Sequence, residues 1–245
     1  MIPLRIPVDH GHLEAALREP VGPLRGAAVV CHPHPLFGGT MHTKAVYRAA
    51  QALTEVGVAT LRFNFRGVGA STGSYDGGIG ERDDARDALD WMQQRFPGVP
   101  LVLGGFSFGS MVALSVGVAE QRVKSLLALG LPVEMDYDFS FLAGTAKPTL
   151  VVQGENDEFG SGERVAEALS PLGEHITLVR IPGANHYFHE RYDELRAAVR
   201  TYYATGPGAA VLLNAPRPPE AAGAGDPRRG PAGGGLAGGA GRPPA

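Results

Sequence analysis

Short apolar runs recur through the first two hundred positions, each followed by a stretch with helical spacing. Residues 27–30, 58–63, 101–103, 123–129, 149–152 and 177–181 have the length and composition of buried strands. Residues 45–53, 81–96, 108–118 and 190–203 read as helices. In the second of these, Ala85, Leu89, Met92 and Phe96 share one face, while Asp83, Arg86, Asp87 and Asp90 lie elsewhere. Gly57 stands where the 45–53 helix must stop. Leu4–Val8 and Leu13–Leu17 flank a turn at Asp9–Gly11 and predict a hairpin. No internal repeat is visible.

Strands without alternating polar positions bury both faces. Their alternation with helices predicts an α/β fold: a mostly parallel sheet with helices on both sides. In such sheets chemistry gathers beyond the carboxyl ends of the strands. The loops after Val30, Phe63, Leu103, Leu129, Val152 and Ile181 are therefore where functional residues are expected.

Composition changes the picture at the end of the chain. Of the final 40 residues, 29 are Gly, Ala or Pro, with little apolar patterning to offset chain entropy. Residues 1–205 are expected to form one catalytic domain and 206–245 a disordered Gly/Ala/Pro/Arg-rich tail. The chain has 22 basic and 25 acidic side chains, and the first 205 residues carry a net charge of −5. That balance argues against nucleic acid as a partner, because phosphate binding needs a basic surplus. The single Cys31 excludes an intrachain disulfide and a cysteine-rich zinc or iron–sulfur site. No apolar run approaches the ~18 residues of a membrane span, and the first residues lack a basic-then-apolar signal. A cytoplasmic protein without a membrane partner is expected, with its oligomeric state left open.

The strongest chemical signal is Gly105-Phe106-Ser107-Phe108-Gly109, between the 101–103 strand and the apolar helix from Phe108. A serine on a sharp strand-to-helix turn needs small residues two positions before and after it, and both are glycine here. The Phe108 N–H then lies at a helix start, free to stabilise a developing oxyanion. A serine hydroxyl needs a base, and an imidazole needs a carboxylate to orient it. His186 lies on the loop after the 177–181 strand, with His189 three residues on as the weaker candidate. Asp157 follows the 149–152 strand; Glu155, Glu158, Asp136 and Asp138 are its rivals. A second oxyanion donor is expected among the amides of His34, Leu36 and Phe37, with Leu36 or Phe37 favoured; Pro33 and Pro35 have no N–H.

This pattern resembles the α/β-hydrolase superfamily, and within it the small lidless serine hydrolases related to dienelactone hydrolases and to esterase and peptidase cores. The resemblance covers about residues 1–205. It rests on His32-Pro-His-Pro-Leu-Phe-Gly-Gly39, on Phe63-Asn-Phe-Arg-Gly-Val-Gly-Ala-Ser71, on the turn around Ser107, and on the late Asp157 and His186. It implies an eight-stranded sheet and a triad of Ser107, Asp157 and His186. It also implies a structural role for Arg66, which ties loops together. Residues 130–148 leave no room for a helical cap.

The expected activity is hydrolysis of a small-molecule acyl substrate, most simply a carboxylic ester, without a cofactor. Thioesters and amides are alternatives on the same residues. Phe37, Phe106, Met135 and Tyr187 are candidate pocket residues. A non-catalytic binding protein on the same fold is an alternative of another class. So is a metal hydrolase built on His32, His34 and His42, although Pro-Leu-Phe-Gly-Gly follows the His pair where a metal site usually continues with Asp-His. No metal is expected. Cys31 ends an apolar strand and reads as core.

Overall fold

The structure is a computed structural model that describes residues 2–213. Its strands are β1 (Ile2–Val8), β2 (Gly11–Arg18), β3 (Gly26–Cys31), β4 (Val58–Phe63), β5 (Leu101–Phe106), β6 (Val123–Leu129), β7 (Thr149–Gly154) and β8 (Ile176–Ile181). Its helices are α1 (Lys44–Glu55), α2 (Gly80–Arg95), α3 (Phe108–Ala119), α4 (Gly162–Leu169), α5 (Tyr192–Ala204) and α6 (Pro207–Leu213). The strands form one sheet in the order β1-β2-β4-β3-β5-β6-β7-β8. β1, β2 and β4 pair antiparallel, and every other neighbouring pair is parallel. The expected hairpin and the parallel core are both present.

Successive side chains of a strand point to opposite faces, and each central strand feeds two cores. Val29, Leu61 and Leu103 pack with Ala85, Leu89 and Met92 of α2 and with Val112 and Val116 of α3. Val30, Val102, Leu127 and Val152 pack with Val46 and Leu53 of α1 and Leu195 and Val199 of α5. This is why the strand segments read as mostly apolar runs. At the stop of α1, Gly57 has φ 93°, and a Cβ there would lie 2.8 Å from the Pro23 carbonyl oxygen.

Two helices escape the sequence pattern. α4 has eight residues and only Val165 and Leu169 as large buried anchors, too few to set a period. The Ser161 hydroxyl caps it by accepting from Arg164 N at 3.3 Å. α6 corrects the expected start of the tail. Residues 207–213 form a helix whose Ala209 and Leu212 are buried against the domain. Pro207 suits a first helical position, and Leu212 packs close to Gly26, a contact that the local sequence does not announce. Residues 214–245 of the expected tail lie outside the described residues.

Arg66 does tie loops together. Its guanidinium donates twice to Asp84 Oδ1, at 2.7 and 3.0 Å, and its amide donates to Oδ2 at 2.8 Å. His10 Nε2 reaches the same carboxylate at 3.0 Å. Asp84 is fully buried on α2, so α2, the 64–73 loop and the β1–β2 turn share one anchor.

Between β6 and β7 the chain makes one short 3-10 turn at Ser140–Gly144 and inserts no cap. No helix among the described residues is long and apolar enough to cross a membrane.

Candidate active site

β3 lies between β4 and β5, so the chain leaves its end in two directions and a crevice opens there. Cys31 at the end of β3 pairs with Gly105 of β5. The loop that begins at His32 therefore starts beside the turn that carries Ser107.

Ser107 has φ 55° and ψ −123°, a conformation that L side chains rarely adopt. The flanking glycines explain how the turn closes. A Cβ on Gly105 would fall on the Gly109 carbonyl, and one on Gly109 would fall on the His32 carbonyl. The Ser107 amide donates to Leu129 O at 2.9 Å, and the Ser110 hydroxyl donates to Ser107 O at 2.6 Å. The Ser107 hydroxyl makes no hydrogen bond among the described residues and is free to turn.

His186 and Asp157 meet. Nδ1 of His186 lies 2.9 and 2.8 Å from the two carboxylate oxygens of Asp157. Both residues are buried. The carboxylate is held by Phe159 N at 2.9 Å and by Gln153 Nε2 at 2.7 Å. The imidazole sits between the rings of Phe106 and Phe159, with centroids 4.9 and 4.7 Å away. Gly130, with φ 53°, lies against the imidazole; a Cβ there would come within 3.2 Å of the ring. With Nδ1 donating to Asp157, Nε2 is the ring nitrogen without a protein partner.

Ser107 and His186 line the same cleft, about 420 Å³, together with His34, Phe37, Phe108, Pro132, Met135, Tyr137, Phe159 and Tyr187. Phe37, Met135 and Tyr187 are thus at this cleft. Phe106 is not: it is fully buried in β5 and stacks on His186 from behind, because β5 still runs at that position and turns the ring into the core. Among the described residues, none of the rival acids bonds the His186 ring. His189 is exposed and bonds Asn185. Asp136, Asp138 and Glu155 are exposed, and Asp138 caps Ser140 N at 2.7 Å. The exposed Glu158 accepts from the His186 amide at 3.3 Å, not from its ring.

The loop after β3 corrects the expected second donor. Leu36 N donates to His34 Nδ1 at 3.2 Å, and Phe37 N donates to His34 O at 3.1 Å. Both amides are spent inside a tight turn, whose closure the residue types alone do not reveal. Of the three candidate amides, that of His34 has no partner among the described residues. The ring of His34 packs on Phe37, Tyr75 and Phe108 at 4.7–5.0 Å, and the Tyr75 hydroxyl lies 3.1 Å from its Nε2. Burial holds this imidazole below its ordinary pKa, against the opposing pull of Glu81, which keeps Nδ1 able to accept.

Two of the three histidines considered for a metal, His32 and His34, are otherwise engaged. His32 is fully buried, with Nδ1 2.6 Å from Pro33 O and Nε2 accepting from Phe65 N at 3.0 Å. Its pKa is pushed down to about 4 by burial. Cys31 is buried and its thiol is pushed far up by the same cause.

A lidless, mostly parallel sheet, with a serine on the tight turn into a helix and a histidine–aspartate pair at later strand ends, defines an α/β hydrolase. The chain belongs to that family: its alpha/beta hydrolase domain model matches residues 28–200. An uncharacterized protein of Rickettsia prowazekii is 38% identical over 204 residues, covering 80% of this chain and 85% of the relative. Two solved structures are each 38% identical with a TM-score of 0.77. One is an alpha-beta serine hydrolase homologue from Coxiella burnetii, matched over 81% of this chain and 95% of that one. The other, from Xanthomonas campestris, is described as a serine hydrolase without a lid and is matched over 82% and 93%.

Two residues at the site were not legible beforehand. Gly130 reads only as a residue after a strand. Gln153 reads as loop, although a neutral polar residue closing an apolar strand is a usable signal of a buried hydrogen-bonding role.

Proposed function

We propose that this protein is a serine esterase that cleaves small, uncharged carboxylic esters through an acyl-enzyme. The observation that carries the reading is the buried Asp157–His186 pair opening onto the cleft that also contains Ser107. Ser107 attacks the carbonyl carbon while His186 Nε2 takes its proton. Asp157 keeps Nδ1 protonated and offsets the charge of the imidazolium. The amides of Phe108 and His34 stabilise the oxyanion. His186 then protonates the leaving alkoxide, and water repeats the cycle on the acyl-serine. Among the described residues no Asp, Glu, Lys or Arg lines the cleft, which favours neutral acyl and leaving groups. The absence of a cap favours small or projecting groups over a long lipid chain.

The experiment is labelling by a fluorophosphonate together with turnover of a panel of p-nitrophenyl esters. Labelling of wild type but not of Ser107→Ala, with acetyl to hexanoyl esters preferred, is expected. Turnover that survives Ser107→Ala and disappears with a chelator would overturn the reading. Parallel thioester and anilide substrates distinguish ester cleavage from its two closest alternatives.

A further inference from the structure

Gln153 is fully buried at the end of β7, and every hydrogen-bonding group of its amide is used. Nε2 donates to Asp157 Oδ2 at 2.7 Å and to Gly160 O at 2.6 Å, while Oε1 accepts from Leu131 N at 2.7 Å. The orientation of this amide is fixed by its partners. A carbonyl oxygen can only accept, and a backbone N–H can only donate. Nε2 must therefore face Gly160 and Oε1 must face Leu131, so what Asp157 receives from Gln153 is an N–H.

We infer that Gln153 is a positioning residue for the acid of the proposed triad, holding the Asp157 carboxylate aimed at His186. The inference rests on the reading of Ser107, His186 and Asp157 above. An amide nitrogen can donate but not accept, so Asp157 Oδ2 is the acceptor in this contact. Phe159 N holds the other oxygen, and two donors on two oxygens fix the carboxylate plane. The same side chain bridges two loops. Leu131 begins the segment that carries Pro132 and Met135 of the cleft wall, and Gly160 closes the turn that carries Asp157. Glu134 N to Phe159 O, at 3.0 Å, is a second tie between these loops. The wall therefore has support without Gln153, whereas among the described residues Asp157 Oδ2 has no other donor than Gln153 and the imidazole it serves.

Gln153→Met keeps the length of the side chain and removes all three bonds. For a short p-nitrophenyl ester, kcat is expected to fall about 10- to 100-fold with KM within about threefold. The decisive readout is a double-mutant cycle with Asp157→Ala. If Gln153 acts through the Asp157 carboxylate, Gln153→Met costs little further once that carboxylate is gone. An equal loss of kcat in both backgrounds would mean a merely structural role and would overturn the inference.

Gln153→Glu supplies a second test if the first variant folds poorly. It keeps an acceptor for Leu131 N but can donate to Asp157 only when the new carboxyl is protonated. Its deficit relative to wild type is expected to narrow as pH falls. Asp157, His186 and Glu158 near this point are also ionisable, and all three are present in wild type as well. A deficit that does not change with pH would count against the inference. Wild-type kcat in Gln153→Met, with Ser107→Ala inactive, would sink the inference alone. Full turnover in Ser107→Ala would sink it together with the esterase reading, since Gln153 would then have no catalytic acid to position.

Discussion

The amide of Ser107 donates to the carbonyl of Leu129 at 2.9 Å, so the turn after β5 is pinned to the end of β6. That bond, with the close packing of Gly105 and Gly109, holds Ser107 at φ 55° against its own preference. Ser107→Gly is expected to raise stability by about 1 kcal/mol, because glycine adopts this conformation without strain. Ser107→Ala keeps a Cβ at the same φ and is expected to leave the melting temperature near that of wild type. Both variants lose turnover. Equal melting temperatures for the two would show that no strain is stored at this turn.

Asp157 and its rivals separate by one substitution each. Asp157→Asn is expected to lower kcat by about 10³- to 10⁴-fold, since an amide facing His186 Nδ1 no longer enforces the correct tautomer. Asp136→Asn and Asp138→Asn, at exposed positions with no bond to the His186 ring among the described residues, are expected to stay within about threefold of wild type. Steady-state kinetics on one ester checks all three.

His32 makes stability depend on pH. Its folded pKa is about 4, lowered from 6.5 by burial, so between those values the unfolded chain binds a proton that the folded protein refuses. Stability from this residue is complete above about 6.5 and is lost as pH falls toward 4, up to about 3 kcal/mol. Urea unfolding midpoints measured from pH 7.5 to 4.5 test this. His32→Gln is expected to be less stable at pH 7.5 and to show a flatter decline. An undiminished decline in that variant would assign the acid sensitivity to other groups.

α6 is expected to be part of the folded unit. Leu212 is 3% exposed, and Leu212→Ala should cost about 2–3 kcal/mol. A chain ended at residue 205 should unfold at lower urea than one ended at 213. Identical midpoints would show that this helix adds nothing.

The strands β4 and β6 were legible to the residue, because their terminal positions Val58, Phe63, Val123 and Leu129 are apolar and buried, although Arg62 lies within β4 and Lys124 and Ser125 lie within β6. β5 and β7 read three and two residues short. Their last positions are Gly104, Gly105 and Phe106, and Gln153 and Gly154, which carry no strand signature; pairing with β6 and with β8 extends them. α4 fell below the length at which a helical period can be counted. At the site, Ser107 was legible because its turn makes a local demand that two glycines meet. Leu36 and Phe37 were misread as donors because the bonds of His34 that consume their amides depend on loop closure, not on residue type.

From the sequence alone come the strand–helix alternation, the glycine-flanked serine at a strand end, and the order Ser107, Asp157, His186 along the chain. These follow from neighbours in sequence, where sterics, hydrophobic period and turn chemistry act over a few residues. Only the tertiary structure decides that Gln153 grips Asp157, that Phe106 backs the imidazole rather than lining the cleft, and that Leu212 seals the edge of the core. Each of those contacts joins segments tens of residues apart or depends on which way a side chain leaves its strand. Such contacts are set by how the sheet and its loops close in space, which no local pattern encodes.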